Sequence, residues 1–323
     1  GILCNQPGWF KGELHSHTSE SDGDFTPIQL LQAAKDANLD FIAITDHFTP
    51  SAWWKINPDK VPPGVLVIKS LEITSHKGHA NLHGLKNWVD VFVDREDWSM
   101  NAAADETHRQ GGLFCVNHAF SGELGWSDYS FDWSRVDLYE IYHHMEGPNN
   151  NLQVGLWDAL LREGKRIIGV AGTDFHGTRW GEDKLGEIVT YIYARELSAK
   201  GLLDGLRSGK VYISKGPQME FQVRNSQGEK MDMGGLVDIG KKPIELHVKV
   251  KSDSPVRVFI IKNGFHWRSY PLNNPNRDAW HEIHDTDQEP VPGYYRVEIH
   301  SLINDPKYDG IEWRDFTSIQ AMS

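Results

Sequence analysis

The chain has 323 residues, 39% of them hydrophobic and 24% charged, with a formal net charge of −12. That length suits one large domain, or a large and a small one. An acidic balance without any Lys/Arg block argues against nucleic acid as a partner, since such binding rests on neutralised phosphates.

No apolar stretch approaches the roughly 20 residues that span a bilayer. A soluble protein is expected, cytoplasmic or exported, and the abrupt start at Gly1-Ile2-Leu3-Cys4 leaves room for a leader ahead of it. Cys4 and Cys115 can build neither a disulfide framework nor a zinc knuckle, and Cys115, within Leu113-Phe-Cys-Val116, reads as a small buried hydrophobe.

From about residue 11 to 216, short apolar runs alternate with helical patterns. Thr26-Pro27 forms an N-cap and first-turn pair, followed by Leu30, Leu31, Ala33, Ala34 and Ala37 on one face. Residues 39–44, 65–68, 113–116, 136–141 and 166–170 read as strands, because they are short and rich in Val, Ile and Phe. Residues 96–110, 151–162 and 197–207 read as helices stopped by Gly111-Gly112, Gly164 and Gly209. Strand–helix repetition predicts a parallel sheet, closed or open, with functional groups beyond the carboxyl ends of its strands.

After Gly216-Pro217 the pattern changes to period two, at 219–223, 244–250, 256–261 and 293–299. This predicts a small antiparallel β-sandwich, and hence two domains: 1–217, carrying the chemistry, and 218–323. Trp267, Trp280 and Trp313 suit either its core or a sugar platform, with core the commoner role, and the sandwich is expected to act as a structural lid or packing unit.

Eleven of the sixteen histidines precede residue 177, so the α/β part holds the candidate chemistry. Its apolar runs end in His15-Ser-His17, Asp46-His47, Glu72, His118 and Asp174-Phe-His176. His15 and His17, two apart on an extended segment, point the same way and can chelate one ion, and Asp174 with His176 repeats the spacing. Asp22 lies in the loop just beyond, Glu72 suits a bridging carboxylate, and His79 and His118 supply further nitrogens. His76 and His83 compete with His79 for that role. Asp46 is expected to orient the His47 imidazole. Arg179, and more weakly Lys215, suit an anion clamp. His143-His144 ends a strand and can face substrate. Each element alone has an ordinary structural explanation; five metal-type ends in register do not. The pattern contains no P-loop, dinucleotide fingerprint or nucleophilic-serine elbow.

The motifs Gly12-Glu-Leu-His-Ser-His-Thr18, Ser21-Asp-Gly23, Ala43-Ile-Thr-Asp-His47, Glu72, Asn117-His118 and Gly172-Thr-Asp-Phe-His176 resemble, in order, those of the PHP (polymerase and histidinol phosphatase) family. The resemblance covers roughly residues 9 to 217. Gly78-His-Ala-Asn81, Trp157-Asp-Ala-Leu-Leu161 and Val211-Tyr-Ile-Ser-Lys-Gly-Pro217 are similar to the carbaryl hydrolase-like subgroup, as is the following sandwich. It implies an α/β fold, a distorted seven-stranded (β/α) barrel holding two to three divalent ions, zinc, manganese or iron. By motif, His15, His17, Glu72 and Asp174 would hold one ion, Glu72, His79 and His118 a second, and Asp22, His47 and His176 a third. Tyr142-His-His144 departs from the asparagine common in the family, which bears on the substrate rather than on the metal.

The expected function is that of a metal-dependent phosphoesterase acting on a small anionic ester, with a metal-bridging hydroxide as nucleophile, Arg179 on a phosphate oxygen and His143 or His144 protonating the leaving group. The alternatives are a carboxyl or carbamate ester hydrolase with the same site, and a non-catalytic metal-stabilised scaffold or binding module.

Overall fold

The computed structural model describes residues 1–90, 99–127, 130–179, 185–302 and 319–322. Strand β1 (Gly8–Glu13) leads to helix α1 (Pro27–Asp36). The Thr26 cap is a full capping box, with Gln29 N–H donating to Thr26 Oγ1 and Thr26 N–H to Gln29 Oε1; such a cap is worth about 1 kcal/mol. Strand β2 (Phe41–Ile44), the short helix α2 (Ser51–Lys55) and strand β3 (Leu66–Ser75) follow, and β1, β2 and β3 run parallel.

Strand β4 (Gly78–His83) then doubles back on β3, and after helix α3 (Met100–Arg109) strand β5 (Leu113–Asn117) pairs antiparallel with β4. Helix α3 starts at the cap residue Ser99; positions 96–98 of the expected helix lie outside the described residues. Strand β6 (Leu138–His143), helix α4 (Asn149–Arg162) and strand β7 (Ile168–Gly172) continue the parallel run from β5. Strand β8 (Val189–Ala194), helix α5 (Ala199–Ser208) and strand β9 (Val211–Ser214) complete this part, with β8 antiparallel between β1 and β9.

Beyond the strand ends Ser16 and Phe175 pair in parallel, and His17 N–H donates to Phe175 O at 2.8 Å. Deeper, the Ala171 N–H of β7 donates to Thr190 Oγ1 of β8 at 3.1 Å. Strands β1 to β7 therefore make a distorted, near-closed barrel. The expectation of a parallel sheet needs correction, because the sheet is mixed. The link from β3 to β4 is only His76-Lys77, and so short a connection permits only an antiparallel hairpin. At its end Gly78 has φ +154, and a Cβ there would meet the Trp126 ring at 2.6 Å.

Strand β2 shows why these apolar runs are continuous rather than alternating. Phe41 and Ala43 pack with Leu66, Ile68 and Leu138, while Ile42 and Ile44 pack under Leu30, Leu31 and Ala34 of α1. A strand buried on both faces has no polar side, and each such side chain contributes about 1.5–3 kcal/mol of burial. Cys115 is buried in the same core, 1% exposed.

Strands β10 (Gln218–Arg224), β11 (Lys230–Asp232), β12 (Ile244–Lys251), β13 (Val256–Lys262), β14 (Phe265–Leu272), β15 (His281–Asp287), β16 (Tyr295–Ser301) and β17 (Ile319–Met322) form the rest. One sheet has the order β11-β10-β12-β15; the other, β14-β13-β16-β17, joins β9 of the barrel. Phe221, Leu246, Val248 and Val250 of the first pack against Val256, Val258, Ile260, Val297 and Ile299 of the second. Trp267 packs on this core beneath the Arg268 guanidinium, while Trp280, 37% exposed, lies under Lys251. Trp313 lies outside the described residues.

Candidate metal centre

The carboxyl ends of β1, β2, β5, β6 and β7 converge on one point with the middle of β3 and the start of β4. His15 Nε2 lies 3.2 Å from Glu72 Oε2 and 3.2 Å from Asp174 Oδ1. His17 Nε2 lies 3.0 and 2.8 Å from the same two oxygens. The other Glu72 oxygen, Oε1, is 3.2 Å from His79 Nδ1 and 3.6 Å from His118 Nε2. A third group gathers at the rim: Asp22 Oδ1 is 3.1 Å from His176 Nε2, Asp22 Oδ2 is 3.4 Å from His47 Nε2, and the His17 ring stacks on His47 and His176. His15/His17/Glu72/Asp174, Glu72/His79/His118 and His17/Asp22/His47/His176 each bring one donor atom per residue within 4.8 Å of the others.

Some placements differ from the sequence reading and others sharpen it. Glu72 does not follow its strand, because β3 runs through it to Ser75. Among the competing histidines of β4, His79 faces Glu72, whereas His83 is buried against Ser70 Oγ at 2.8 Å and its pKa is pushed down to about 3 by that burial. Asp46 does not touch the His47 ring. It accepts from Thr18 N–H, Thr18 Oγ1 and Ser21 Oγ at 2.7, 2.6 and 2.8 Å, and so fixes the loop carrying Asp22. The partner of His47 Nδ1 is Thr74 Oγ1, at 2.7 Å. Arg179 is ion-paired to Asp24 at 2.9 Å, and the Lys215 ammonium sits over the Tyr142 ring. His143, its side chain 1% exposed, is 3.2 Å from Asp174 Oδ2, while His144 turns away to Glu187 at 3.4 Å.

Two buried acids were not singled out from the sequence. Glu140 Oε2 is 2.6 Å from His15 Nδ1, and its other oxygen accepts the His118 N–H at 2.9 Å. Glu13 accepts the Thr173 N–H and hydroxyl and the His15 N–H at 3.0, 2.8 and 2.9 Å. The available signal was an acid inside an all-buried strand, where an ion needs dedicated partners. These acids also hold strained backbone. His118 (φ +25), Asp174 (φ +55) and Phe48 (φ +57) occupy the left-handed region, which costs side-chain-bearing residues about 1–3 kcal/mol each. Glu140 holds the His118 N–H, Glu13 the Thr173 N–H, and the Glu72 carbonyl the Phe48 N–H at 3.1 Å.

Burial opposes charge on these groups, and it prevails at Glu13, whose carboxyl is pushed up to about 7, but within the Glu72/Asp174 cluster the neighbours override it. Burial alone would raise the Glu72 and Asp174 carboxyls; His15, with His118 and His17 beside Glu72 and with His143 and His17 beside Asp174, holds them well below their usual range. Burial would lower His17, yet Asp174 and Glu72 lift it to about 10. A metal held by such a cluster would have to compete with its protons. The donor set fits divalent transition metals: imidazole nitrogens and carboxylate oxygens only, with no thiolate. The orphaned atoms agree. His17 Nδ1 and His118 Nδ1 are buried without a hydrogen-bond partner among the described residues, and His17 Nε2 and Asp174 Oδ1, though 2.8 Å apart, do not meet in hydrogen-bond geometry. His17 Nε2 and Asp174 Oδ1 are placed as two ligands of one cation would be.

No protein-family profile matches this chain. Over 160 residues, 44% of the chain, it is 27% identical to uncharacterized protein MJ1587 of Methanocaldococcus jannaschii, covering 88% of that protein. Its fold is similar to the crystal structure of a two-domain protein from Bacteroides vulgatus containing a predicted PHP-like metal-dependent phosphoesterase, with a TM-score of 0.53 and 16% identity over 99% of this chain and 96% of that one. PsfC from Pseudomonas syringae PB-5123 aligns with a TM-score of 0.49 and 14% identity, over 62% of this chain and 90% of that one. The two-domain likeness establishes the architecture, a PHP-like barrel followed by antiparallel sheets.

Proposed function

We propose that the chain is a metal-dependent hydrolase of ester bonds, a phosphoesterase of the carbaryl hydrolase-like PHP subgroup. His15, His17, Glu72 and Asp174 would hold one divalent cation, Glu72, His79 and His118 a second, and Asp22, His47 and His176 a third. The observation that carries the reading is the shared carboxylate of Glu72, one oxygen toward His15 and His17 and the other toward His79 and His118. Bound cations of this type polarise an ester oxygen and bring the pKa of water toward about 7.

The chain's own residues prepare that chemistry. Glu140 accepts a proton-bearing Nδ1 from His15 and turns Nε2 toward the cluster, and Thr74 sets the His47 ring in the same way. Asn150 clamps the His143 main chain on both sides, accepting its N–H at 2.8 Å and donating to its carbonyl at 2.9 Å. His143 Nε2 is thereby held beside Asp174, where it can pass a proton to a departing oxygen. Arg179, three residues after His176 and braced by Asp24, would hold a phosphate oxygen. The predicted phosphoesterase within the Bacteroides vulgatus protein supports the same reaction class.

A second reading, cleavage of an uncharged carboxyl or carbamate ester, has its own support. Arg179 already has a carboxylate partner, and Phe48, Phe120 and Met145, all exposed, closely follow His47, His118 and His143. Elemental analysis of wild type and a His15→Ala/Asp174→Ala variant, followed by turnover of an aryl phosphate and an aryl carbamate, separates the readings. The phosphoesterase reading expects transition metal lost in the variant and preference for the phosphate. Preference for the carbamate favours the second reading, and metal bound without turnover of either ester means a scaffold. Wild type that takes up no metal from zinc, manganese or iron refutes them all.

A further inference from the structure

A cleft of about 530 Å³ opens where the sandwich meets the barrel, far from the metal centre. Its β7 contributors are Ile168 and Gly169, at the amino-terminal end of the strand whose other end leads to Asp174. Trp157 and Leu161 of α4 line it together with Val211, Phe221, Val223 and Met233. At its edge stand Leu236, 87% exposed, and Val291, 50% exposed. A volume in the roughly 300–1,000 Å³ range, apolar walls and a position between two packed units are the usual attributes of a small-molecule site.

The charged groups in the lining decide the ligand's chemistry, because each is already engaged. Arg296 gives Nε and one Nη to Asp158 at 2.9 and 2.8 Å, gives the other Nη to Glu298 at 2.7 Å, and lies over the Trp157 ring. Arg166 donates to Ser208 O at 2.9 Å, and Lys165 pairs with Glu163 at 3.2 Å. Tyr294 hydroxyl donates to Asp158 Oδ1 at 2.6 Å. None of the buried side-chain atoms that lack a partner belongs to this lining, among the described residues. Asp232 pairs with Lys210 at 3.4 Å, so of the charged groups in the lining only Arg166, held by carbonyl oxygens, faces no opposite charge, and a charged ligand would lose its hydration here for little return. An apolar one meets mostly apolar surface and removes Leu236 and Val291 from water.

We propose that this cleft is a second ligand site, for an uncharged, largely apolar small molecule. The probe is N-phenyl-1-naphthylamine, neutral and fluorescent in dry surroundings, titrated into the full-length protein with and without added metal. Saturable one-to-one binding is expected, unchanged by metal. Two of the six methionines, Met231 and Met233, line the cleft, so methyl NMR of the wild-type protein should show shifts concentrated on those two. Val223→Trp on β10 and Leu161→Trp on α4 fill the space from two different elements and should weaken binding by about tenfold or more. Trp54→Ala, which removes an indole 75% exposed outside the cleft, should leave it unchanged. No saturable binding by the wild type, or methyl shifts away from Met231 and Met233, overturns the proposal even if a filling variant fails to fold. Folded filling variants that bind as the wild type does would overturn it equally.

Discussion

Glu140 is the residue whose removal tests the architecture of the metal centre most directly. It touches no candidate substrate space. Its carboxylate, buried within β6, accepts from His15 Nδ1 at 2.6 Å and from the His118 N–H at 2.9 Å, and so holds one donor's ring and another's strained backbone. Glu140→Gln keeps the volume but offers one acceptor oxygen to two donors. Hydrogen bonds to a charged group are worth about 1.5–3 kcal/mol net, which at about 1.4 kcal/mol per tenfold is roughly 10–100-fold in metal affinity. Groups standing behind metal ligands cost about that much when changed. A second route reaches the same contact without touching the acid: a Cβ on Gly172 would clash with Glu140 Oε2 and lie 2.9 Å from the His15 Cβ, so Gly172→Ala should mimic Glu140→Gln. Competition for zinc and manganese against a chromogenic chelator reads the affinity, and circular dichroism checks the fold. If both variants are folded and hold metal within about twofold of wild type, the claim that Glu140 positions His15 is wrong.

Two further predictions concern the tie between α4 and the sandwich. Asp158→Ala leaves Arg296, 4% exposed, without two of its three acid bonds; breaking a buried pair this way costs roughly 3–5 kcal/mol, with Glu298 keeping the loss near the lower end. Urea denaturation measures it, and an unshifted midpoint would mean the pair is effectively solvated. Burial raises the Glu298 carboxyl, but His300 and Arg296 outweigh it and bring its pKa from 4.5 down to about 2. A depressed carboxyl stabilises the fold fully above its unfolded value and loses that contribution as pH falls through the folded one. Stability should therefore drop between about pH 5 and pH 2, by a few kcal/mol, and Glu298→Gln should flatten that slope; an equal acid slope in the variant would contradict the assignment.

What the sequence revealed, and what it hid, follow from the range over which each feature is determined. His15 and His17 were legible because the period of an extended chain puts i and i+2 on one side. The β2 and β5 cores were legible because strands buried on both faces are continuous apolar runs. The same periodicity explains the error over Asp46. Neighbours on an extended chain point to opposite sides, so Asp46 faces Thr18 and Ser21 while His47 faces Asp22. Adjacent residues of an extended segment do not share a face, so sequence neighbours need not touch. Strand β4 escaped because Gly78-His-Ala-Asn-Leu-His83 has no β-branched residue, and its buried, polar inner face is set by neighbours on β3 and β5. Strand β14 escaped for the opposite reason: its residues are half-buried or exposed, and its pairing on β13 supplies what its own pattern lacks.

Glu140 marks the limit. Its partner His15 is 125 residues earlier, so no local pattern can predict the pair. A lone acid in Leu138-Tyr-Glu-Ile-Tyr142 nevertheless states a physical requirement, because an unpaired buried carboxylate costs far more than a strand of this length gains by folding. The same requirement applies to Glu13 at the end of β1. Both acids hold the main chain around donors in unfavourable backbone conformations, His118 and Asp174. The sequence thus announces the supports of the centre as apparent violations of its own patterning, and an acid out of register in a buried strand is the place to look for what holds a ligand in position.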